Sequence, residues 1–351
     1  MPRLRALFSY RAWTIRPWTG KKTLALTAVC VFLLSVGGAC ATGAYPVPFG
    51  EVARILLTGS GTEPDSPALT VVLHLRLSRT VLAFLAGCGL AVSGVVFQGI
   101  LRNPLADPFT LGVSGGAAFG AALAIALGLA APFYPAAALL GAGAALLLVL
   151  LLASSGGGLR RETLVLAGVV VSAFLAALIA LVKALDEDSV AGIVFWIMGS
   201  FQGRGWHDLP LFLPGFLLGL VPVVLLAREL DILALGDTDA RHLGVNASVT
   251  RFWLLLGASA IAASCVAVSG IIGFVGLVVP HLVRLALGGR HKPLLLASAF
   301  CGGILLLWSD VLARSILPDG VELPVGVITA LLGGPFFCFL LRRANRSGAL
   351  P

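Results

Sequence analysis

The chain alternates between long apolar stretches and short polar segments along its 351 residues. The apolar stretches, which carry almost no charge, lie at 23–42, 80–101, 109–131, 134–153, 163–182, 209–227, 252–272, 273–283, 293–313 and 323–341. Most of them have the roughly 20 residues that a membrane-spanning helix needs. Residues 273–283 are too few to cross alone, so we expect them to be buried in protein or to line a cavity. The pattern predicts an all-α polytopic membrane protein of about ten transmembrane helices, with a single transmembrane domain over residues 23–343.

The composition agrees with this class of protein. Hydrophobic residues make up 58% of the chain and charged residues only 11%, against roughly 25% charged residues in soluble domains. The six cysteines lie in apolar stretches and the five histidines lie in different segments, without the spacing of metal ligands. We therefore expect no metal site and no disulfide framework, with the cysteines acting as small hydrophobic residues.

The net charge of +8 could suggest nucleic-acid binding, but in a membrane protein the positions of the positive charges indicate which segments lie inside. If the N-terminus lies inside, eighteen lysines and arginines fall in inside segments and six in outside segments. This bias predicts that both termini are cytoplasmic. A basic segment, 1–22, then precedes the first span and could touch anionic lipid, and a short tail, 344–351, follows the last. A cleaved signal peptide is the alternative, but the first apolar run has the length of a span.

Two outside segments have the pattern of short amphipathic helices lying on the membrane surface. They are Phe49–Leu57 and Val190–Met198. Both are too short to span the membrane. Plain loops are the alternative interpretation for both.

The inside segment Arg228–Arg251 alternates charged and apolar residues. Gly236 can end one short helix in the left-handed conformation, and Gly244 can end a second. Asp237 can cap the second helix by accepting a hydrogen bond from a free backbone N–H. We therefore predict two short helices at about 228–247 that form a rigid docking knob, with a solvated loop as the alternative.

Two junctions rich in glycine and proline interrupt the apolar pattern at corresponding places. One is Asn103–Gly116, between spans 2 and 3, and the other is Ser269–Pro280, between spans 7 and 8. Spans 2–5 and spans 7–10 start from opposite faces of the membrane in the predicted topology. This arrangement predicts an inverted repeat of helices 2–5 and 7–10 with a broken helix near Pro280.

The energy source is constrained by what the sequence lacks. It has no P-loop, so we expect no nucleotide site of that type. Charged residues are absent near the middle of every predicted span, whereas an ion-coupled carrier needs a binding group at membrane depth. Asp310 lies near the outer end of its span, four residues before Arg314, where the two could pair. Energy is therefore expected to enter through the cytoplasmic knob, and an ion-coupled secondary transporter stays the remote alternative.

Over roughly residues 30–343 the chain resembles the FecCD-like (type II) permease subunits of ABC importers for iron–siderophore complexes, haem and cobalamin. The motifs that carry the resemblance are Arg76-Leu77-Ser78-Arg79-Thr80, Arg102-Asn103-Pro104-Leu105-Ala106-Asp107-Pro108, Leu235-Gly236-Asp237, Gly273-Phe274-Val275-Gly276-Leu277 with Pro280-His281, and Glu322-Leu323-Pro324-Val325-Gly326. The resemblance implies a ten-helix subunit, a homodimer, two cytoplasmic ATPase subunits and an extracytoplasmic substrate-binding protein. It also implies the bacterial cytoplasmic (inner) membrane, and a chain that is not an enzyme and binds no cofactor, since ATP and Mg²⁺ are used by the ATPase. A ferric siderophore is the expected cargo, with haem or cobalamin as alternatives.

The resemblance also assigns roles to individual residues. Arg76, Arg79 and Arg314 are expected to dock the binding protein. The residues expected to couple to the ATPase are Leu235, Gly236, Asp237, Ala240, Leu243 and Gly244. The residues expected to form structural or gating turns are Asn103, Pro104, Asp107, Pro108, Gly273, Gly276 and Pro280.

Overall fold

The computed structural model describes residues 21–61, 67–155, 158–318 and 320–346. Residues 1–20 of the predicted basic segment and residues 347–351 of the predicted tail lie outside the described residues. Helices make up nearly all of the described chain. The strands among the described residues are β1 (Ser154–Ser155) and β2 (Gly158–Leu159), which form an antiparallel hairpin.

The helices follow one another along the chain with short connections. In order they are α1 (Lys21–Ala41), α2 (Phe49–Thr58), α3 (Pro67–Thr70), α4 (Ser78–Leu101), α5 (Val113–Ala126), α6 (Tyr134–Ala153), α7 (Arg161–Leu185), α8 (Val190–Ile197), α9 (Leu209–Leu225), α10 (Ala227–Leu235), α11 (Asp237–His242), α12 (Ala247–Ser269), α13 (Val275–Leu287), α14 (His291–Ala313) and α15 (Val325–Arg346). A π-helical segment, Val71–Leu77, joins α3 to α4 in one continuous run.

Each of the ten predicted apolar stretches coincides with a helix. In the described residues, seven helical runs are long and apolar enough to cross a membrane, and three further apolar helices are shorter. The short ones are α5, α13 and the apolar part of α15. The second span is longer than predicted, because its helix begins at Pro67 rather than near residue 80. The apolar stretch was predicted to begin after Arg76, because a charged residue usually lies outside a span. Arg76 is instead buried within the helical run, and its guanidinium is hydrogen-bonded.

The centre of the bundle is formed by α4 and α12. In the most apolar stretches of these two spans, 83% and 78% of the residues are buried. In the corresponding stretches of α1, α7 and α9, only 17–22% of the residues are buried. Small residues allow the central helices to approach closely, as expected for helices that pack in lipid. The backbone of Gly87 in α4 faces that of Gly302 in α14, and a Cβ on Gly94 would clash with the backbone of Gly276 in α13.

The packing between helices repeats within the chain. The pairs α4–α14, α5–α6, α5–α7 and α6–α7 are all in contact. In an inverted repeat, α4, α5, α6 and α7 correspond to α12, α13, α14 and α15, in that order. Exchanging each helix for its counterpart turns the four pairs into α12–α6, α13–α14, α13–α15 and α14–α15. These four pairs are also in contact. This correspondence supports the predicted inverted repeat of helices 2–5 and 7–10.

Both predicted surface segments are helical. The first corresponds to α2 and the second to α8. The left-handed Gly59 ends α2, where its N–H donates to Ile55. A glycine is suited to this position because it lacks the Cβ that disfavours positive φ.

Candidate functional site

Arg79 is the centre of a charged cluster at the beginning of α4. Its Nε and one Nη donate to both carboxylate oxygens of Asp310 in α14, at 2.9 and 2.7 Å for the closest contacts. Its other Nη lies 2.8 Å from a carboxylate oxygen of Glu322, just before α15. A guanidinium can hold two carboxylates in this way because its donors form a planar fork. Arg79 thus connects three elements of the bundle.

Arg76 and Arg314 bind the end of α1. An Nη of Arg76 donates to the Cys40 carbonyl at 2.8 Å, and an Nη of Arg314 donates to the Ala39 carbonyl at 2.8 Å. The last carbonyls of a helix lack N–H donors within the helix and carry the negative end of its dipole. The two arginines therefore neutralise and anchor the C-terminus of α1. We call Arg76, Arg79, Arg314, Asp310 and Glu322 the arginine cluster.

The three predicted docking arginines are brought together, but they are buried. Their exposed fractions are 5% for Arg76, 8% for Arg79 and 7% for Arg314. They reach a small cavity of about 130 Å³ that is also lined by Gly43 and Glu322. The predicted pair of Asp310 and Arg314 exists only as a longer contact of 3.8 Å, because Asp310 is bound more closely by Arg79. Docking by these arginines stays a prediction, and their main observed contacts are within the chain.

The predicted knob is present at the opposite end of α4. It consists of α10 and α11, which are separated by Gly236 at a φ of 149°. Leu235 and Leu243 are 65% and 60% exposed, whereas Ala240 is fully buried. Gly244 ends the second helix at a φ of 79°, as predicted. The knob therefore has a packed inner side and presents two exposed leucines.

The predicted cap by Asp237 is wrong. Gly236 occupies the N-cap position, and the Asp237 carboxylate instead accepts hydrogen bonds from an Nη of Arg251 in α12, at 2.9 and 3.0 Å. Arg102, at the end of α4, approaches the same carboxylate at 3.7 Å. Burial acts to raise the pKa of Asp237, but the hydrogen bonds and charge of Arg251, with Arg161 and Arg102 nearby, hold it below its usual value. The carboxylate is therefore ionised at neutral pH.

Further polar contacts fasten the knob to the spans. Arg251 also donates to the Leu159 carbonyl of the hairpin, and Arg102 donates through Nε to the Leu233 carbonyl of α10 at 3.1 Å. Asp231 of α10 accepts from the backbone N–H and from the ring Nδ1 of His291 at the start of α14, at 2.8 and 2.6 Å. The knob is thus linked by hydrogen bonds to α4, α12 and α14.

The predicted turn after α4 is built from local hydrogen bonds. The Asn103 side chain accepts from the Leu105 N–H at 2.9 Å, and Pro104 follows it. Asp107 caps the 3₁₀ turn that begins at Pro108, accepting from the Phe109 N–H at 2.6 Å. Burial raises the pKa of Asp107 to about 6, although the Phe109 N–H opposes this shift.

The predicted break before α13 is present and contains an unusual residue. Gly270 and Phe274 both have a φ of 69°, and α13 begins only at Val275. Phe274 is strained there, because bulky residues rarely adopt positive φ. Its ring faces Gly333 of α15, where any Cβ would clash with it. Gly333 therefore provides the space that the ring of Phe274 occupies.

The two predicted junctions meet inside the bundle. A Cβ on Gly276 would lie 2.7 Å from Pro108, so the break before α13 packs directly on the turn before α5. Pro280 lies within α13, where it cannot donate to the carbonyl four residues earlier. Gly273, by contrast, faces open space.

Several residues of the site were not identified as such from the sequence. Glu322 belonged to a recognised motif, but nothing near it along the chain pointed to Arg79 as its partner. Arg251 had been counted only as an inside charge. A signal that could have been used is the excess of positive charge beside the knob, since Arg102 and Arg251 both flank it in the predicted topology.

The chain matches the model of the FecCD transport family over residues 26–343. The chain belongs to the FecCD transport family. It is therefore an ABC importer permease, a polytopic membrane protein and not an ATP-hydrolysing enzyme, since hydrolysis is carried out by a separate ATPase. Membership also implies ATPase subunits and a binding protein as partners.

Three relatives illustrate the range of this FecCD permease's neighbours. The cobalamin import permease BtuC of Halobacterium salinarum is 39% identical over 92% of this chain and 88% of its own length. The hemin transport permease HmuU of Yersinia pestis is 41% identical over 85% of this chain and 92% of its own length. The Fe(3+) dicitrate permease FecD of Escherichia coli is 40% identical over 90% of this chain and 98% of its own length.

A solved structure has the same fold as this FecCD permease. It is an inward-facing conformation of a metal-chelate type ABC transporter, with a TM-score of 0.80 and 33% identity. The match covers 92% of this chain and 99% of the other.

Proposed function

We propose that this FecCD permease imports a ferric siderophore, or another large metal chelate, delivered by an extracytoplasmic binding protein. The observation that carries the proposal is the shared chemistry of the cargoes named for the three relatives above, although another relative, 35% identical over 93% of this chain, is a permease for the oxyanion molybdate. Cobalamin, hemin and Fe(3+) dicitrate are all metal ions held by an organic ligand, and the similar solved transporter is of the metal-chelate type. The identities lie within 39–41%, so similarity alone does not choose among them. Haem and cobalamin are the alternative cargoes.

We further propose that two copies of the chain enclose the pathway across a two-fold axis. Support comes from apolar faces that a single copy leaves uncovered. Exposed side chains on α7 and α15 are Leu166, Val170, Phe174, Leu331, Leu332 and Phe339. In a dimer, the parts of these faces that meet would be buried, and the parts that line the axis would form a wall with few polar groups, over which a large chelate can slide.

The proposed orientation has both termini and the knob in the cytoplasm. The eighteen-to-six distribution of lysine and arginine supports it. The arginine cluster then faces the binding protein. Glu322 is the more exposed of the two carboxylates on Arg79, at 19% against 2% for Asp310. A carboxylate of the binding protein that entered the adjoining cavity would compete with Glu322 for Arg79.

Energy is proposed to enter through the knob. The knob, with Leu235, Gly236, Asp237, Ala240, Leu243 and Gly244, would couple to the ATPase. The two exposed leucines would fill an apolar cleft, whereas Asp237 and the buried Ala240 would hold the knob against the spans. ATP and Mg²⁺ would be used by the ATPase alone, so this chain needs no cofactor of its own. Family membership decides against the ion-coupled secondary transporter, because an ABC permease draws its energy from ATP hydrolysis.

The test is reconstitution of the permease with its ATPase and binding protein in liposomes. Binding protein loaded with a ferric siderophore, haem or cobalamin is offered separately, and uptake and ATP hydrolysis are both measured. We expect the ferric siderophore to give the highest ratio of uptake to hydrolysis. Efficient uptake of haem or cobalamin with no response to ferric chelates would contradict the proposed cargo.

A further inference from the structure

We infer that the permease binds one anionic phospholipid beside the knob. The phosphate would lie among Arg160, Arg241 and the start of α12, and an acyl chain would lie in the groove between α6 and α12. The inference depends on the chain spanning a membrane and not on the cargo proposed above.

The polar half of the site is a cavity of about 640 Å³ between the hairpin, α11 and the start of α12. Arg160 and Arg241 line it, and both are exposed. Within the described residues neither guanidinium forms a salt bridge. Asp237 also lines the cavity, but its charge is taken up by Arg251 and Arg102. The cavity therefore has two uncompensated positive charges.

One donor of a residue that lines the same cavity lacks a partner. Arg251 lines the cavity and is only 3% exposed. Its two Nη groups bind Leu159 and Asp237, but its Nε is buried and makes no hydrogen bond among the described residues. Leaving such a donor unsatisfied is unfavourable, more so when the group is charged. A shift of the Arg251 side chain toward a phosphate in the cavity would let a phosphate oxygen accept from this nitrogen.

The start of α12 adds further donors. Asn246 caps the helix by accepting from the Val249 N–H at 3.2 Å. The N–H groups of Ala247 and Ser248, at the first two positions, have no acceptor within the helix. Both residues line the cavity. The positive end of the helix dipole also favours an anion at this position.

The apolar half of the site continues directly from the polar half. A groove of about 710 Å³ runs between α6 and α12 and shares Leu159 and Ser248 with the polar cavity. Leu147, Leu151, Phe252 and Trp253 line it and are all exposed. Because α6 and α12 are both candidate spans and these four side chains are apolar, the groove would accept an acyl chain at the depth of the bilayer.

The combination identifies the occupant. A free phosphate or an acidic segment of the ATPase would use only the polar cavity, whereas a neutral lipid would not compensate Arg160 and Arg241. An anionic phospholipid uses both halves, and the helix ends place its phosphate at the membrane surface. Basic residues at such a surface attract anionic headgroups.

The experiment uses the purified permease–ATPase complex in nanodiscs of phosphatidylcholine with a small fraction of phosphatidylglycerol. The phosphatidylglycerol carries brominated acyl chains, which quench tryptophan. The quenching of Trp253 is obtained by subtracting the fluorescence quenching of the W253F variant from that of the unchanged permease. Retained lipid is measured separately by native mass spectrometry.

We expect phosphatidylglycerol to quench Trp253 more strongly than brominated phosphatidylcholine at the same fraction. Replacing both Arg160 and Arg241 by Gln should weaken retention about thirtyfold, on the scale of two charges at a membrane surface. The control is R228Q/R290Q, which removes two exposed arginines at the same end but outside the cavity. Helix content and complex assembly should be unchanged in both variants.

Four results would overturn the inference. The first is equal retention of the anionic and neutral lipids. The second is an equal loss in R228Q/R290Q, which would indicate general attraction to the membrane. The third is displacement by inorganic phosphate, which would assign the cavity to a free anion. The fourth is retention by the permease alone but not by the complex, which would assign the cavity to the ATPase.

Discussion

Arg79 shows how a single residue can be recognised from sequence and still have an unexpected role. Its motif pointed to docking, yet its guanidinium holds Asp310 and Glu322 and is itself buried. A buried charge that loses its partner is strongly unfavourable, whereas the intact pair can be close to neutral for stability. The arginine cluster is therefore expected to be sensitive to the removal of any one charge.

We predict that Arg79→Gln destabilises the folded permease by about 3 kcal/mol, because it leaves two carboxylates without their partner. Arg79→Lys should also destabilise it, since an ammonium cannot form the same fork to two carboxylates. Thermal unfolding of the purified protein in detergent measures both effects. Arg290→Gln, an exposed substitution at the opposite end, is the control and should leave the melting temperature nearly unchanged.

A double substitution distinguishes a charge effect from a packing effect. If the cost of Arg79→Gln comes from unpaired carboxylates, adding Asp310→Asn should recover part of the stability. Losses that simply add would show that the two residues do not interact as described.

The residue scale is where the sequence is least informative. It identified Arg76, Arg79 and Arg314 by motif, but their partners lie far away along the chain, such as Asp310 for Arg79. Asp237 was predicted to cap α11 because the rule for capping is local. The observed carboxylate binds Arg251 instead, and this contact depends on how α11 packs against α12.

At the scale of elements the sequence is far more informative. Every predicted apolar stretch is a helix, and both predicted surface helices are present, because hydrophobicity and length depend on neighbouring residues alone. The break before α13 was also predicted from Gly273, Gly276 and Pro280. Its consequence was not, since the contact of Gly276 with Pro108 joins two distant junctions.

The knob leads to a prediction about coupling. Asp237 links α11 to α12 through Arg251, whereas the exposed Leu235 and Leu243 are proposed to meet the ATPase. Asp237→Asn should therefore leave assembly with the ATPase intact but lower the ratio of transport to ATP hydrolysis several-fold. Because the carboxylate is partly exposed, the loss in stability should stay near 1 kcal/mol. Uptake and hydrolysis by reconstituted complexes give the ratio.

Asp239→Asn is the matched control. Asp239 lies in the same turn of α11, carries the same charge, and forms no salt bridge among the described residues. It should leave coupling unchanged. An equal decrease in both variants would attribute the effect to the charge of the knob rather than to its link with α12.

At the scale of the whole molecule, the bundle has two differently charged ends joined by continuous helices. Arg79, near the start of α4, and Arg102, at its end, are about 34 Å apart along the helix at 1.5 Å per residue. Arg79 belongs to the cluster that anchors α1 and α14, and Arg102 contacts the knob. Central helices such as α4 and α12 are therefore suited to carry a movement from one end to the other.

This arrangement makes the orientation in the membrane a decisive prediction. We expect Thr238, exposed in α11, to face the cytoplasm, and Glu187, exposed between α7 and α8, to face the other side. Each is replaced by Cys in a chain whose exposed Cys30, Cys301 and Cys338 are changed to Ala. A membrane-impermeant maleimide should label Glu187→Cys in right-side-out vesicles and Thr238→Cys only in inverted ones. The reverse pattern would place the knob outside, where no ATPase could reach it, and the proposed route of energy through Leu235 and Leu243 would fail.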